Sequence, residues 1–146
     1  MMKAVMTGVM AAWLSLSAFG AQAGTNGVDL KISMWSINER QLHDGQIIGS
    51  GQIVSPGEHR GFQVWLTAEK QNRAAARYIL RGNNNNTHRM FVRLERSEAI
   101  PDEIGKQGII IYTDAASVDF NIVIDGDQEV AADRYRVPAL VGVINS

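Results

Sequence analysis

Arg89-Met90-Phe91-Val92-Arg93-Leu94-Glu95 puts Met90, Val92 and Leu94 on one side of an extended chain and Arg89, Phe91, Arg93 and Glu95 on the other. Successive side chains of a strand point to opposite faces, so this alternation marks a strand with one face in a core and one in water. The same period recurs on both sides of it. Upstream, Val28, Leu30, Ile32 and Met34 share one face of Val28–Met34, and Gln46 to Val54 is rich in Ile, Val and Gly. Phe62, Val64 and Leu66 lie opposite Gln63 and Trp65, and Tyr78-Ile79-Leu80 is a short strand. Downstream, Ile109 to Tyr112 reads as a short strand, Val118, Phe120, Ile122 and Ile124 form one apolar face, and Tyr135 to Val143 is the last strand.

Turn chemistry separates these runs. Ser55-Pro56-Gly57-Glu58, Gly82 with the Asn83 to Asn86 run, and Asp125-Gly126-Asp127 all supply residues that bend the chain. Ile100 to Glu103 reads as a loop. Thr67 to Arg77 carries good helix formers around Ala74-Ala75-Ala76, enough for a turn or two inside a loop. About seven or eight short strands spaced by turn signals predict an all-β chain folded as an immunoglobulin-like β-sandwich. Trp65 stands where such domains often bury a tryptophan between the sheets, and Tyr135 stands where a tyrosine corner forms; an ordinary Trp and an ordinary strand Tyr fit the same positions.

The amino-terminal 23 residues form a secretory signal peptide: Lys3 gives the positive start, Ala4 to Phe19 the apolar run, and Ala21-Gln22-Ala23 the small-x-small cleavage site. The run is short for a membrane-spanning helix, which needs about 20 apolar residues. Cleavage after Ala23 leaves residues 24–146 as one domain of ordinary size. The chain has no cysteine, so in an oxidising compartment its sandwich depends on apolar packing alone. Without Lys3 there are 13 basic residues against 15 acidic ones, a balance that argues against nucleic acid as a partner. The charge is nonetheless segregated, with basic residues dominating Arg60 to Arg96 and acidic ones Glu98 to Asp133. Arg77, Arg81, Arg89 and Arg93 are therefore a candidate cationic binding patch for an acidic glycan, an anionic polymer or an acidic protein face; a solvated outer face has the same signature.

An immunoglobulin-like sandwich closes with a hairpin, but the strand from Tyr135 is followed only by Ile144-Asn145-Ser146. If that strand is the penultimate one, the fold is an incomplete sandwich lacking its final strand, with unpaired N–H and C=O groups and core side chains at a sheet edge. Tyr135, Val137, Ala139, Val141 and Val143 then line an acceptor groove. A strand from another chain completes the fold by donor strand complementation, as in pilus assembly. Gly24-Thr25-Asn26-Gly27, the only residues ahead of the first strand, are too polar to serve as an apolar donor. Such a subunit accepts a strand and gives none, which places it at the end of a polymer.

Catalytic signatures are missing: there is no cysteine nucleophile and no H-E-x-x-H, G-x-S-x-G or P-loop pattern. His43, His59 and His88 are far apart and read as surface histidines rather than a metal site. Asp125-x-Asp127-x-Glu129 is half a calcium loop without its remaining ligands and reads as a turn. No cofactor, metal or catalytic residue is expected.

Several stretches together resemble the AfaD/DraD-type invasin subunits of Afa/Dr adhesins and the similar minor subunits of aggregative adherence fimbriae. They are Arg40-Gln41-Leu42-His43-Asp44-Gly45, Gly51-Gln52-Ile53-Val54, Gly61-Phe62-Gln63-Val64-Trp65-Leu66, Arg77-Tyr78-Ile79-Leu80, and Asp125 to Ala131 leading into Tyr135-Arg136-Val137. The resemblance implies passage through the periplasm with a dedicated chaperone and an outer-membrane usher, display at a fimbrial tip, and the major fimbrial subunit as strand donor. It also implies a host surface receptor such as an integrin, with a purely structural initiator or cap of fibre assembly as the rival role. D-type subunits of the Afa/Dr type carry a cysteine pair where this chain has Ser55 and Val143, a departure that favours the aggregative-fimbria branch and leaves stability leaning on the donated strand.

Overall fold

The computed structural model describes residues 27–35 and 41–145; the signal peptide expected over residues 1–23 lies outside them. Every named element is a strand. In chain order they are β1 (Asp29–Met34), β2 (Gln41–Leu42), β3 (Ile47–Val54), β4 (Gly61–Leu66), β5 (Glu69–Lys70), β6 (Arg77–Arg81), β7 (Arg89–Glu95), β8 (Ile100–Pro101), β9 (Ile109–Tyr112), β10 (Ser117–Ile124), β11 (Gln128–Glu129) and β12 (Ala139–Ile144). One sheet has the order β1-β3-β10-β7-β6-β5, a second has β12-β4-β9-β8, and β2 pairs with β11 in a small ribbon. All pairs are antiparallel.

The core lies between the two large sheets, where the alternation seen in the sequence places it. Met90, Val92 and Leu94 of β7 and Val118, Phe120, Ile122 and Ile124 of β10 meet Phe62, Val64 and Leu66 of β4 and Ile109 and Ile111 of β9. Each large apolar side chain buried in this way contributes about 1.5–3 kcal/mol. There is no disulfide to share the load. Phe120 pairs in register with Gly51, and its ring lies over that glycine: a Cβ there would come within 2.2 Å of a ring atom.

Four expectations change. Thr67 to Arg77 contains the strand β5 and a tight turn, and no helix, because Asn72 (φ 49°) and Arg73 (φ 62°) are successive left-handed residues that cannot continue a right-handed coil. Ile100–Pro101 is a short edge strand on β9 and not a loop. Trp65 faces outward beside Gln63, since Phe62, Val64 and Leu66 take the inner positions of β4, and it is not held between the sheets. The last strand starts at Ala139, four residues later than the sequence pattern suggested. Pro138 has no N–H to give a ladder, and the preceding segment pairs elsewhere: Tyr135 bridges Gly82 past the end of β6, and Arg136 N donates to Arg81 O. Tyr135 does form the corner anticipated for it, its phenol donating to Ala131 O four residues upstream.

Candidate functional site

β1 and β12 stand at the same flank of the sandwich, one at the edge of each large sheet. Among the described residues β1 pairs only with β3 and β12 only with β4, so each leaves one side of its backbone without a ladder partner. In β12 the register sets Ala139 opposite Leu66, Val141 opposite Val64 and Val143 opposite Phe62, all on the inner face. Phe62 and Val64 are completely buried, whereas Val141 and Val143 are only half-buried. Leu30, Ile32 and Met34 of β1 are half-buried in the same way, alternating with exposed Asp29, Lys31 and Ser33. The core thus thins into an apolar strip along this flank, bordered by two unused backbone edges. Such a strip takes an extended chain whose main chain extends a ladder and whose alternate side chains fill the floor.

The acceptor residues read from sequence divide between strand and core. Ala139, Val141 and Val143 lie on the inner face of β12. Tyr135 and Val137 are buried in the core ahead of the strand, and the Gly82 bridge fixes Tyr135 away from the β12 ladder. Sequence reasoning missed Leu30, Ile32 and Met34 as the other wall of the strip. Their alternation was visible, but the position of β1 beside β12 was not.

The four arginines do converge. Arg77 faces Arg93 and Arg81 faces Arg89 across the β6–β7 ladder, on the outer side of the six-stranded sheet. Their charge is largely neutralised there. Arg93 bonds Asp44, Glu95 and Asp125, each at 2.8 Å, Arg77 also reaches Asp125, and Arg81 bonds Glu69 at 2.9 Å. Arg89 has no carboxylate partner among the described residues and lies over the Phe91 ring at 5.8 Å, the range of a cation–π contact. Partial burial works against the Arg93 charge, but its three carboxylates hold its pKa above the usual value. Arg93 and the Gly126 N–H in turn hold the Asp44 carboxyl below its ordinary range. With Asp125 committed to two guanidinium groups, the half calcium loop is a salt-bridged turn, and no metal-binding group of His, Asp or Glu forms among the described residues.

A second polar centre organises the asparagine run. The Asp133 side chain is closed off from solvent and accepts bonds from the N–H groups of Asn84, Asn85 and Arg134 and from His88 Nδ1 at 2.9 Å. The Asn84 N–H above all, with His88 and the other amides, holds its pKa down at about 2. His59, expected at the surface, is buried against Phe62, with ring centroids 4.4 Å apart. The depression lined by Arg81, Asn86, Thr87 and Arg89 is open to solvent.

Residues 38–139 match the family described as the Enterobacteria AfaD invasin protein. Protein AfaD of Escherichia coli is 30% identical over 98 residues, which are 66% of this chain and 65% of that one, so the match spans just under two thirds of that relative. The Salmonella SafD adhesin superposes with a TM-score of 0.76 at 27% identity, covering 81% of this chain and 84% of the other. The E. coli Hda pilus minor tip subunit, HdaB, gives 0.76 at 24% identity, covering 82% and 84%, a likeness of fold. With the open β1–β12 flank, these neighbours define the architecture as an incomplete immunoglobulin-like sandwich of the kind completed by a donated strand.

Proposed function

Because the chain belongs to the enterobacterial AfaD invasin family, we propose that it is a minor, tip-located subunit of a chaperone–usher fimbria that accepts a donated strand along β12 and takes part in host-cell attachment or invasion. The family is one of adhesin and invasin subunits, not of enzymes. The observation that carries the reading is the apolar strip between β1 and β12, with both neighbouring backbone edges unpaired among the described residues. The major fimbrial subunit is the strand donor, a periplasmic chaperone and an outer-membrane usher handle the subunit on its way out, and residues 1–23 are removed on export. The fibre displays the chain at the bacterial surface, facing a host glycoprotein such as an integrin.

Deleting the gene and counting fibres alongside attached bacteria tests the role. Normal fibre number with poor attachment supports the adhesin reading, and few fibres support a structural initiator. Normal fibres with normal attachment would remove both.

A further inference from the structure

The outward side of the four-stranded sheet departs from the usual division between an apolar inner and a polar outer face. Across the register, Leu140 lies beside Trp65; Gly142, Gln63, Ile110 and Ile100 form the next row; Ile144, Gly61 and Tyr112 form the third. No position in these rows is charged. The one amide, Gln63, donates to Asp102 Oδ2 and Gln107 O, both at 2.8 Å, and is already spent on the β8–β9 loop. Tyr112 is 64% exposed and Ile100 51%. The outer side of the other large sheet is the opposite: Lys31, Gln52 and Asp119 share one row, and Ser33, Ser50, Asn121 and Glu95 another. An uncharged face carrying Trp, Tyr and Ile has the composition of the centre of a protein interface.

Its size selects the occupant. With six residues each in β12 and β4, four in β9 and two in β8, at about 3.3 Å per residue and about 4.8 Å between strands, the face covers roughly 300 Å², well under half of the roughly 800 Å² per partner that a stable interface buries. A second copy docked face to face therefore has too little area to hold by itself. A partner already tied to β12 by a strand needs no such area, because the tie makes the second contact intramolecular. The face is continuous with that tie. Leu140 and Ile144 are carried by β12 itself, and a depression of about 540 Å³ lined by His59, Arg60, Tyr112, Thr113, Asp114 and Ile144 joins the end of β12 to Tyr112.

We propose that the strand-donating subunit also covers this face, the residues flanking its donor strand packing on Leu140, Trp65, Ile144 and Tyr112 while the strand itself fills the inner strip. The inference rests on the strand-addition reading and extends it to the other side of β12.

The test compares two probes on the chain, the intact major fimbrial subunit and a synthetic peptide of its donor strand alone, by following release in a fixed sub-denaturing concentration of urea. With Tyr112→Asp, the subunit is released at least tenfold faster and the peptide at an unchanged rate. Unchanged release of the subunit overturns the proposal, as does equally accelerated release of both probes. A concentration-dependent dimer of the peptide-filled chain that Tyr112→Asp abolishes also overturns it and makes a second copy the occupant. Failure of the peptide to bind the unsubstituted chain sinks the strand-addition reading, and this proposal with it.

Discussion

Arg77 and Arg93 face each other directly across the β6–β7 ladder, and the Asp125 carboxylate bonds to both guanidinium groups. Like charges at opposed strand positions repel, so Asp125, whose side chain is only 9% exposed, makes the pairing tolerable. Asp125→Asn is expected to cost about 1–3 kcal/mol. Adding Arg77→Gln should recover part of that loss. Urea denaturation of the donor-filled chain measures both, and a single variant as stable as the parent would show that the carboxylate is not needed.

Filling the β1–β12 strip should stabilise the whole domain. A donor peptide fused to the carboxyl end and held at high effective concentration contributes about 3 kcal/mol, or about 10–20 °C in the thermal midpoint of a domain this size. Val141→Asp, which puts a charge on the floor of the strip, should remove most of that gain. Equal midpoints for the mature chain with and without the peptide would contradict the strip's role.

Asp133 sets an acid limit. Its folded pKa of about 2 lies below the ordinary value of 3.8, so its contribution is complete above about pH 4 and is lost as pH falls through about 2. Asp133→Asn should flatten that part of the stability profile. It should also speed hydrogen exchange at the amides of Asn84 and Asn85, which the carboxylate holds. Unchanged exchange at both amides would place the organisation of the asparagine turn elsewhere.

Gly108 has a φ of 68°, and a Cβ there would meet Val64 O at 1.8 Å. Both the left-handed backbone and the backbone contact oppose a side chain. Gly108→Ala should therefore cost about 2–4 kcal/mol by strain in β4 and its neighbour β9. Gly57→Ala, which meets nothing within 4 Å, serves as the neutral control in the same denaturation experiment.

The strands whose inner face is fully closed were the legible ones. In β4, β7 and β10 each inward residue is apolar, and a slip of one residue would turn that set to water. Glu69–Lys70 and Ile100–Pro101 are too short to show a period, and β5 and β8 exist only because β6 and β9 offer them an edge. The end of the chain misled for a different reason. Tyr135 and Val137 keep the alternation of β12 in sequence, but Pro138 separates them from its ladder and Gly82 claims Tyr135. For the arginines, the shared face follows from the β6–β7 pairing, but their neutralisation does not: Asp44 and Asp125 lie 49 and 32 positions from Arg93. Charge segregation along a chain says nothing about pairs that only folding brings together.

The β12–β4 ladder runs through six paired residues, Ala139 with Leu66 to Ile144 with Gly61. A pull directed along β12 loads these rungs in parallel, as shear, and none can be peeled away ahead of the others. Pro138 O, accepting from Thr67 N at 2.9 Å, pins the near end of the ladder. Should β12 accept a donated strand as proposed, an edge anchored in this way would resist traction along that strand through the geometry of its attachment.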